Sequence, residues 1–341
     1  MKRIFPLLAI LCLPLFSRAA FINGRNYVPL TDWARANGFR VALLARDEII
    51  LTNKTSRLVF NMDSAESEIN GVDVRLSFPV AKDALISQLD LDTAIRPLVF
   101  PQKPSAKKVT TICLDPGHGG KDTGNRGAGF FWRNEKTYTL ALALELRGEL
   151  QKIGFRVILT RNSDTFVELP ARPALANKRG ADLFISLHFN ATQVGKNEVA
   201  GPETYCITPV GANSSNASVE GSEYGNAASA GPTIANRNEQ KSLLFAYQIQ
   251  KSLVQNLNAN DRGVRRARFA VLRDAAMPAI LIEGGYMTNP TEGKKIYDSA
   301  YRRQMAAAIV KGILAYQKLT TPPVIQPNPH TPNHQAVKYS P

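Results

Sequence analysis

The sequence predicts an α/β protein with a mostly parallel, twisted sheet flanked by helices, preceded by a small β-rich α+β unit. From residue 110 onward, short apolar runs alternate with longer segments whose apolar residues recur at helical spacing, as at residues 134–153 and 299–318. Such alternation is typical of strands joined by helical crossovers. Residues 182–189 are apolar almost throughout, as expected of a strand covered on both faces.

The elements of this larger part can be placed along the chain. The apolar runs predict strands at residues 112–114, 155–160, 182–189, 203–208, 269–272 and 279–282. The helical patterns predict helices at residues 134–153, 173–178, 239–257 and 299–318. Residues 211–231 are rich in Gly, Ser, Asn and Ala without periodicity, and we expect them to form a mobile surface loop.

Residues 20–98 have the pattern of a separate small unit. Two Asn-Gly pairs, Asn23-Gly24 and Asn70-Gly71, lie between strand-like runs and predict β-hairpins. The unit contains no histidine or cysteine, which favours a spacer or a binding module over an enzyme. Residues 99–109 are polar, basic and interrupted by proline, and we interpret them as a linker to a second domain at residues 110–318.

The two ends of the chain carry signals of a different kind. Residues 1–19 have a basic start, a short apolar run and small residues at the end, as in a secretory signal peptide. No other apolar stretch is long enough to span a bilayer. Residues 319–341 are proline-rich without an apolar pattern, and we expect a disordered tail. The protein is therefore predicted to be exported, to the periplasm or to the cell wall and extracellular space.

The formal net charge of +14 favours an anionic partner. Because the chain is predicted to leave the cytoplasm, an envelope polymer fits better than a nucleic acid. We expect a monomer without a membrane span, with possible envelope contact through the N-terminal module. Cys113 and Cys206 lie in apolar runs, and export would allow a disulfide between them. Two separate buried thiols are favoured, since pairing needs close and suitably directed side chains.

Three chemically active side chains stand at the ends of predicted strands: His118, His188 and Glu283. In mostly parallel sheets, sites form at the carboxyl ends of the strands. A catalytic zinc ion needs about three nitrogen or oxygen ligands and a fourth position for water. His118 and His188 supply two ligands, and Glu135 is the candidate third because it begins the helix that follows. Glu135 could equally be an ordinary acidic residue at a helix start.

Glu283 follows a run of apolar residues and precedes two glycines. A carboxylate there is either a costly buried charge or a functional one. Beside an activated water it could act as a general base. The glycine-rich segment at residues 117–120 does not fit a phosphate-binding loop, because Asp122 stands where such a loop needs Ser or Thr. The sequence patterns of dinucleotide-binding folds and of the nucleophile elbow are absent, and neither Cys113 nor Cys206 is placed as an activated thiolate.

Residues 114–124 (LDPGHGGKDTG) resemble the opening motif of the zinc-dependent N-acetylmuramoyl-L-alanine amidases. The segments at 134–136 (NEK), 185–191 (ISLHFNA), 262–273 and 282–289 (IEGGYMTN) are similar to the later motifs of that family, in the same order. The opening of the N-terminal unit, NGRNYVPL at 23–30, resembles the module called copper amine oxidase N-terminal-like, although no residue in it suggests a copper site.

The resemblance implies that Zn²⁺ is bound by His118, Glu135 and His188 and that Glu283 is the catalytic carboxylate. It further implies a peptidoglycan hydrolase that cleaves the amide bond between N-acetylmuramic acid and the L-alanine of the stem peptide. Two alternatives remain: a non-catalytic cell-wall-binding protein with an inactive site, and a zinc peptidase on the same scaffold.

Overall fold

The computed structural model describes residues 19–44, 47–101, 108–127, 133–214 and 231–321. The predicted signal peptide lies outside the described residues except for Ala19, as do most of the predicted linker, the centre of the predicted loop at 211–231 and nearly all of the predicted tail. Within the described part of the chain, no helix is both long and apolar enough to cross a membrane.

The strands fall into two groups, eight before residue 90 and six after residue 110 in the part described. The first group comprises β1 (Ala20–Ile22), β2 (Arg25–Pro29), β3 (Arg40–Leu44), β4 (Glu48–Thr52), β5 (Arg57–Asn61), β6 (Ser64–Ile69), β7 (Val72–Val80) and β8 (Leu85–Ser87). The second comprises β9 (Thr111–Pro116), β10 (Arg156–Leu159), β11 (Leu183–Asn190), β12 (Glu203–Cys206), β13 (Val264–Arg266) and β14 (Ala279–Tyr286).

The helices alternate with the strands of the second group and are short in the first. In chain order they are α1 (Leu30–Ala36), α2 (Gln88–Asp90), α3 (Arg96–Val99), α4 (Glu135–Lys152), α5 (Ala171–Lys178), α6 (Glu239–Leu257), α7 (Ala270–Arg273), α8 (Pro290–Tyr297) and α9 (Ser299–Thr320). A π-helical turn, Leu91–Ile95, joins α2 to α3.

The central sheet confirms the predicted fold class. Its order is β10-β9-β11-β14-β12-β13-β7-β6-β5-β4-β3. The first four of these strands are parallel to one another, whereas β12 is antiparallel to β14. Helices α4, α6 and α9 cover one face and pack on each other, while α5 and α7 lie on the other face. Because both faces are covered, β9 is buried along its whole length, and the first five residues of β11, the strand expected to be covered on both faces, are buried as well.

Five of the N-terminal strands, β3 to β7, continue the same sheet, while β1, β2 and β8 form a separate three-stranded sheet. β7 pairs in parallel with β13, with Val74 opposite Val264. The Tyr247 hydroxyl of α6 donates a hydrogen bond of 2.8 Å to the carbonyl oxygen of Ile69. One apolar cluster contains buried side chains from both parts of the chain. Strands β3 to β7 of the predicted N-terminal unit and the strands of the second domain thus form one hydrogen-bonded sheet. The domain boundaries themselves, and the likeness to the copper amine oxidase module, stay predictions.

Three details differ from the sequence-based expectations. The strand predicted near residues 269–272 is wrong, because Ala270–Arg273 forms a helical turn that buries Val271 and Leu272. A run this short buries its apolar side chains equally well in either conformation. Helix α8 was not predicted, although the side chain of Asn289 caps it and Pro290 begins it. Ile153, on the expected apolar face of the helix at 134–153, is 49% exposed because α4 ends at Lys152.

The two described cysteines confirm the favoured alternative. Cys113 and Cys206 are both buried free thiols. They lie on β9 and β12, and β11 and β14 separate these strands in the sheet. Neighbouring strands are about 4.8 Å apart, so the two side chains are too distant to form a disulfide.

Candidate active site

A cleft of about 710 Å³ opens at the carboxyl ends of β9, β11 and β14. All four predicted site residues, His118, Glu135, His188 and Glu283, line it. One wall comes from the segment after β10, including Phe166 and Glu168, and another from the start of α7. The expectation that these side chains meet at one edge of the sheet is therefore confirmed.

The turn after β9 carries His118 into the cleft. His118 itself has a φ of +61°, which is uncommon for a residue other than glycine. The preceding Gly117 lies against the His188 ring: a Cβ atom there would be 2.3 Å from His188 Cε1. The two imidazoles consequently come close, with ring centroids 4.9 Å apart and planes at 79°. His118 Nδ1 lies 2.9 Å from Asp122 Oδ2, which fixes the ring orientation.

Glu135 is fully buried at the first turn of α4 and lies between the two histidines. Its Oε2 atom is 3.1 Å from His118 Nε2, and its Oε1 atom is 3.0 Å from His188 Nδ1. Backbone N–H groups also donate to the carboxylate, from Asn125 at 2.8 Å and from Phe189 at 3.0 Å. This arrangement explains why a charged side chain is tolerated in a buried position.

The same contacts shift the pKa values of these groups. Burial by itself would raise the pKa of Glu135, but the hydrogen bonds and positive charge of His118 and His188 outweigh it, and the pKa lies below its usual range. For His118, burial disfavours the charged ring. The hydrogen bond and negative charge of Glu135, together with Asp122, outweigh burial and raise the pKa of His118.

The three side chains form a group that could hold a metal ion. One potential ligand atom from each of His118, Glu135 and His188 lies within 4.8 Å of the others. Two imidazole nitrogens and one carboxylate oxygen are a donor set typical of catalytic zinc sites. The residues present therefore fit such an ion in both chemistry and proximity.

Glu283 lies next to this group on β14. It pairs in register with His188 on β11 and with Glu203 on β12, so these three side chains share one face of the sheet. Burial, followed by the negative charges of Glu135 and Glu203, raises the pKa of Glu283 well above its usual range. Its Oε2 atom is buried and has no hydrogen-bond partner among the described residues. Because Glu283 also lines the cleft, its carboxyl group is available to accept or donate a proton there.

Two surrounding carboxylates were not predicted from the sequence. Asp122 could have been noticed, because it stands four residues after His118 in the same motif. Glu203 gives no such signal, since a single carboxylate at a strand start is common. It is buried and held by the Arg265 Nε atom at 2.8 Å and the Asn190 side chain at 2.6 Å. Its position beside Glu283 follows only from the register of β12 and β14.

A helix-covered α/β sheet with a His-Glu-His cluster that could hold a metal ion, and a neighbouring partly buried glutamate, is typical of a metal-dependent hydrolase. Comparison with known proteins specifies the family: residues 112–315 match the N-acetylmuramoyl-L-alanine amidase family, Amidase_3. This match covers more than half of the chain. The chain belongs to that family, as its motifs predicted.

Individual relatives agree with this assignment. The amidase AmiC of Neisseria meningitidis is 36% identical over 220 residues, which cover 60% of this chain and 52% of that relative. The amidase AmiA of Escherichia coli is 33% identical over 234 residues, covering 63% of this chain and 79% of that relative. The match therefore spans about half of one relative and most of the other.

The crystal structure of an N-acetylmuramoyl-L-alanine amidase from Clostridium difficile 630 is similar in fold. It superposes with a TM-score of 0.50 and 32% identity, covering 62% of this chain and 98% of that chain. The likeness supports the α/β architecture described above.

Proposed function

We propose that the protein is a zinc-dependent peptidoglycan amidase that hydrolyses the bond between N-acetylmuramic acid and the L-alanine of the stem peptide. One observation carries the proposal: the His118–Glu135–His188 group and the partly buried Glu283 line a single cleft of a chain that belongs to this amidase family. The reaction is the one for which the relatives are named.

His118, Glu135 and His188 would hold the zinc ion. When bound, zinc would supply positive charge for the developing oxyanion and lower the pKa of a water molecule. Asp122 would keep the His118 ring in one orientation through its contact with Nδ1. The backbone N–H groups of Asn125 and Phe189, which donate to the Glu135 carboxylate, would hold it in place with or without the ion.

Glu283 would move the proton. Its unpartnered Oε2 atom would accept a proton from the attacking water and return it to the departing alanine nitrogen. A raised pKa suits this exchange, because a general base works best when its pKa lies near the working pH. Glu203 contributes through its negative charge one strand away and is itself held by Arg265.

Location is a further part of the proposal. We propose that the chain is exported, since peptidoglycan lies outside the cytoplasm and residues 1–19 have the pattern of a signal peptide. N-terminal sequencing of the protein from the envelope fraction should begin at residue 20. A protein retained in the cytoplasm with its first residues intact would contradict export.

The test of function is digestion of purified peptidoglycan by residues 20–341, followed by mass spectrometry. The proposal predicts stem peptides with a free alanine amine and an intact glycan, with release lost after chelation and restored by zinc. Cleavage between amino acids instead would indicate a peptidase on the same scaffold. Binding without any release, from several types of cell wall and with zinc loaded, would favour the cell-wall-binding alternative.

A further inference from the structure

Arg172, at the start of α5, is a buried cation beneath the site. It is 1% exposed, and its guanidinium group donates four hydrogen bonds to oxygen atoms of the protein. Its Nε donates to the Val167 carbonyl at 3.0 Å, Nη1 donates to Asp115 Oδ1 and to the Pro116 carbonyl at 2.9 Å each, and Nη2 donates to the His118 carbonyl at 3.0 Å. One guanidinium thus joins the end of β9, the His118 turn and the cleft wall.

The charge of Arg172 is balanced by Asp115. Both side chains of this pair are almost completely buried. Asp115 also accepts hydrogen bonds from the Ser186 hydroxyl at 2.8 Å and the Thr160 hydroxyl at 2.6 Å. A buried ion pair contributes little to stability compared with well-packed apolar side chains. The value of this pair therefore lies in the geometry that a planar, multiply bonded guanidinium can impose.

That geometry concerns a predicted metal ligand directly. The His118 backbone has a φ of +61°, a conformation that a histidine adopts only when surrounding contacts hold it. Arg172 fixes the carbonyl of this residue, and Asp122 fixes its ring through Nδ1. The remaining nitrogen, Nε2, is thereby directed toward Glu135 at 3.1 Å.

We propose that Arg172 is a positioning residue for metal binding, because its guanidinium holds the His118 turn in the conformation that presents Nε2 beside Glu135. This inference rests on the metal site proposed above. It assigns Arg172 no contact with substrate and no role in proton transfer.

The test is the zinc affinity of Arg172→Lys. Lysine keeps the positive charge opposite Asp115, but its single ammonium group cannot reach oxygen atoms spread over three segments. We expect zinc affinity, measured by competition with a chelating dye, to fall about 10- to 100-fold, the usual effect of losing a group that orients a metal ligand. The visible spectrum of the Co²⁺-loaded variant should also differ from that of the wild type.

Arg302→Lys is the matched control. Arg302 is 8% exposed, and it donates to the Ile296 carbonyl at 2.9 Å and lies 3.4 Å from Glu145, away from the cleft. This variant should lose thermal stability as the loss of any buried arginine would predict, while zinc affinity and the Co²⁺ spectrum stay unchanged.

The outcomes separate this inference from the proposed function. If the wild type does not bind zinc, the proposed metal site is wrong. If the wild type binds zinc and a folded Arg172→Lys binds it within about twofold, the positioning role is wrong and the metal site stands. If the variant does not fold, NMR of the metal-free wild type tests the positioning role instead, because it reports whether the Arg172 side chain is rigid. Separate Nη–H resonances for Arg172 support a rigid clamp before metal binding, and averaged resonances contradict it.

Discussion

The carboxylate of Glu135 is contacted by two imidazoles and two backbone N–H groups. Glu283 lines the same cleft but is less completely satisfied, because one of its carboxylate oxygens has no hydrogen-bond partner among the described residues. The two glutamates consequently have pKa values displaced in opposite directions. This difference supports the two proposed roles, with Glu135 as an ionised metal ligand and Glu283 as the group that takes up and releases a proton.

The raised pKa of Glu283 predicts how stability depends on pH in the metal-free protein. In the unfolded chain this carboxyl loses its proton at a lower pH than in the folded chain. Folding therefore becomes less favourable as pH rises from the ordinary glutamate pKa, about 4.3, toward the raised folded value. Glu283→Gln removes this penalty, so its stability advantage over the wild type should grow with pH.

Urea denaturation of both proteins from pH 4 to pH 8, with a chelator present, measures this difference. Within the affected range the advantage should grow by up to about tenfold in the unfolding equilibrium for each pH unit. The two proteins should be nearly equally stable at the acid end, where both side chains are neutral. An advantage that does not change with pH would show that Glu283 titrates normally.

The turn that leaves β9 positions both proposed histidine ligands, His118 and His188. Gly117→Ala should disturb the site, because the added Cβ would lie 2.3 Å from His188 Cε1 and 2.5 Å from His188 Nε2. The ring must move away from His118 and Glu135, and we expect zinc affinity to fall by more than tenfold, the order seen when a ligand is misoriented. Calorimetric zinc titration measures the change.

Gly148→Ala is the control for that variant. Gly148 lies within α4, and a Cβ atom there would meet nothing within 4 Å. Because alanine favours helix more than glycine does, this change should stabilise the protein by up to about 1 kcal/mol and leave zinc binding unaltered. Wild-type zinc affinity in Gly117→Ala would mean that the close approach of the turn to His188 is unimportant for the site.

Elements with a strong local pattern could be predicted from the sequence. The buried run of β11 and the long periodic helices α6 and α9 were located to within a few residues, and the four candidate site residues, three after strands and one at a helix start, line one cleft. The short turn α7 and helix α8 were missed or misassigned, since a few residues carry no clear periodicity. The pairing of β7 with β13 and of Glu203 with Glu283 depends on contacts between distant parts of the chain, for which a single sequence gives no signal.

On the scale of the whole molecule, strands β3 to β7 of the N-terminal part extend the sheet that carries the candidate site. Its strand β7 covers the edge of β13, and the segment around Leu91 and Ile95 belongs to the same apolar cluster as α6. We expect this continuity to stabilise both parts together, because the β13 edge is paired and the apolar side chains of α6 are packed at the junction. The N-terminal part therefore has a structural role whatever else it binds.

A chain beginning at residue 102 tests that role. We expect it to unfold at a lower temperature than residues 20–341 and to bind a hydrophobic dye, because the truncation uncovers the β13 edge and the apolar side chains packed against α6. Differential scanning fluorimetry and dye fluorescence measure both effects. An unchanged unfolding temperature would mean that the two parts are energetically independent despite their shared sheet.

The assignment of ligand and base is tested most directly by measuring zinc content and peptidoglycan cleavage in the same samples of wild type, Glu135→Gln and Glu283→Gln. We predict that Glu283→Gln retains zinc but releases stem peptides about 10²- to 10⁴-fold more slowly, the usual effect of losing a general base. Glu135→Gln should lose both zinc and activity. If Glu135→Gln keeps its zinc and still cleaves, or if Glu283→Gln cleaves at the wild-type rate, the account of this site is wrong.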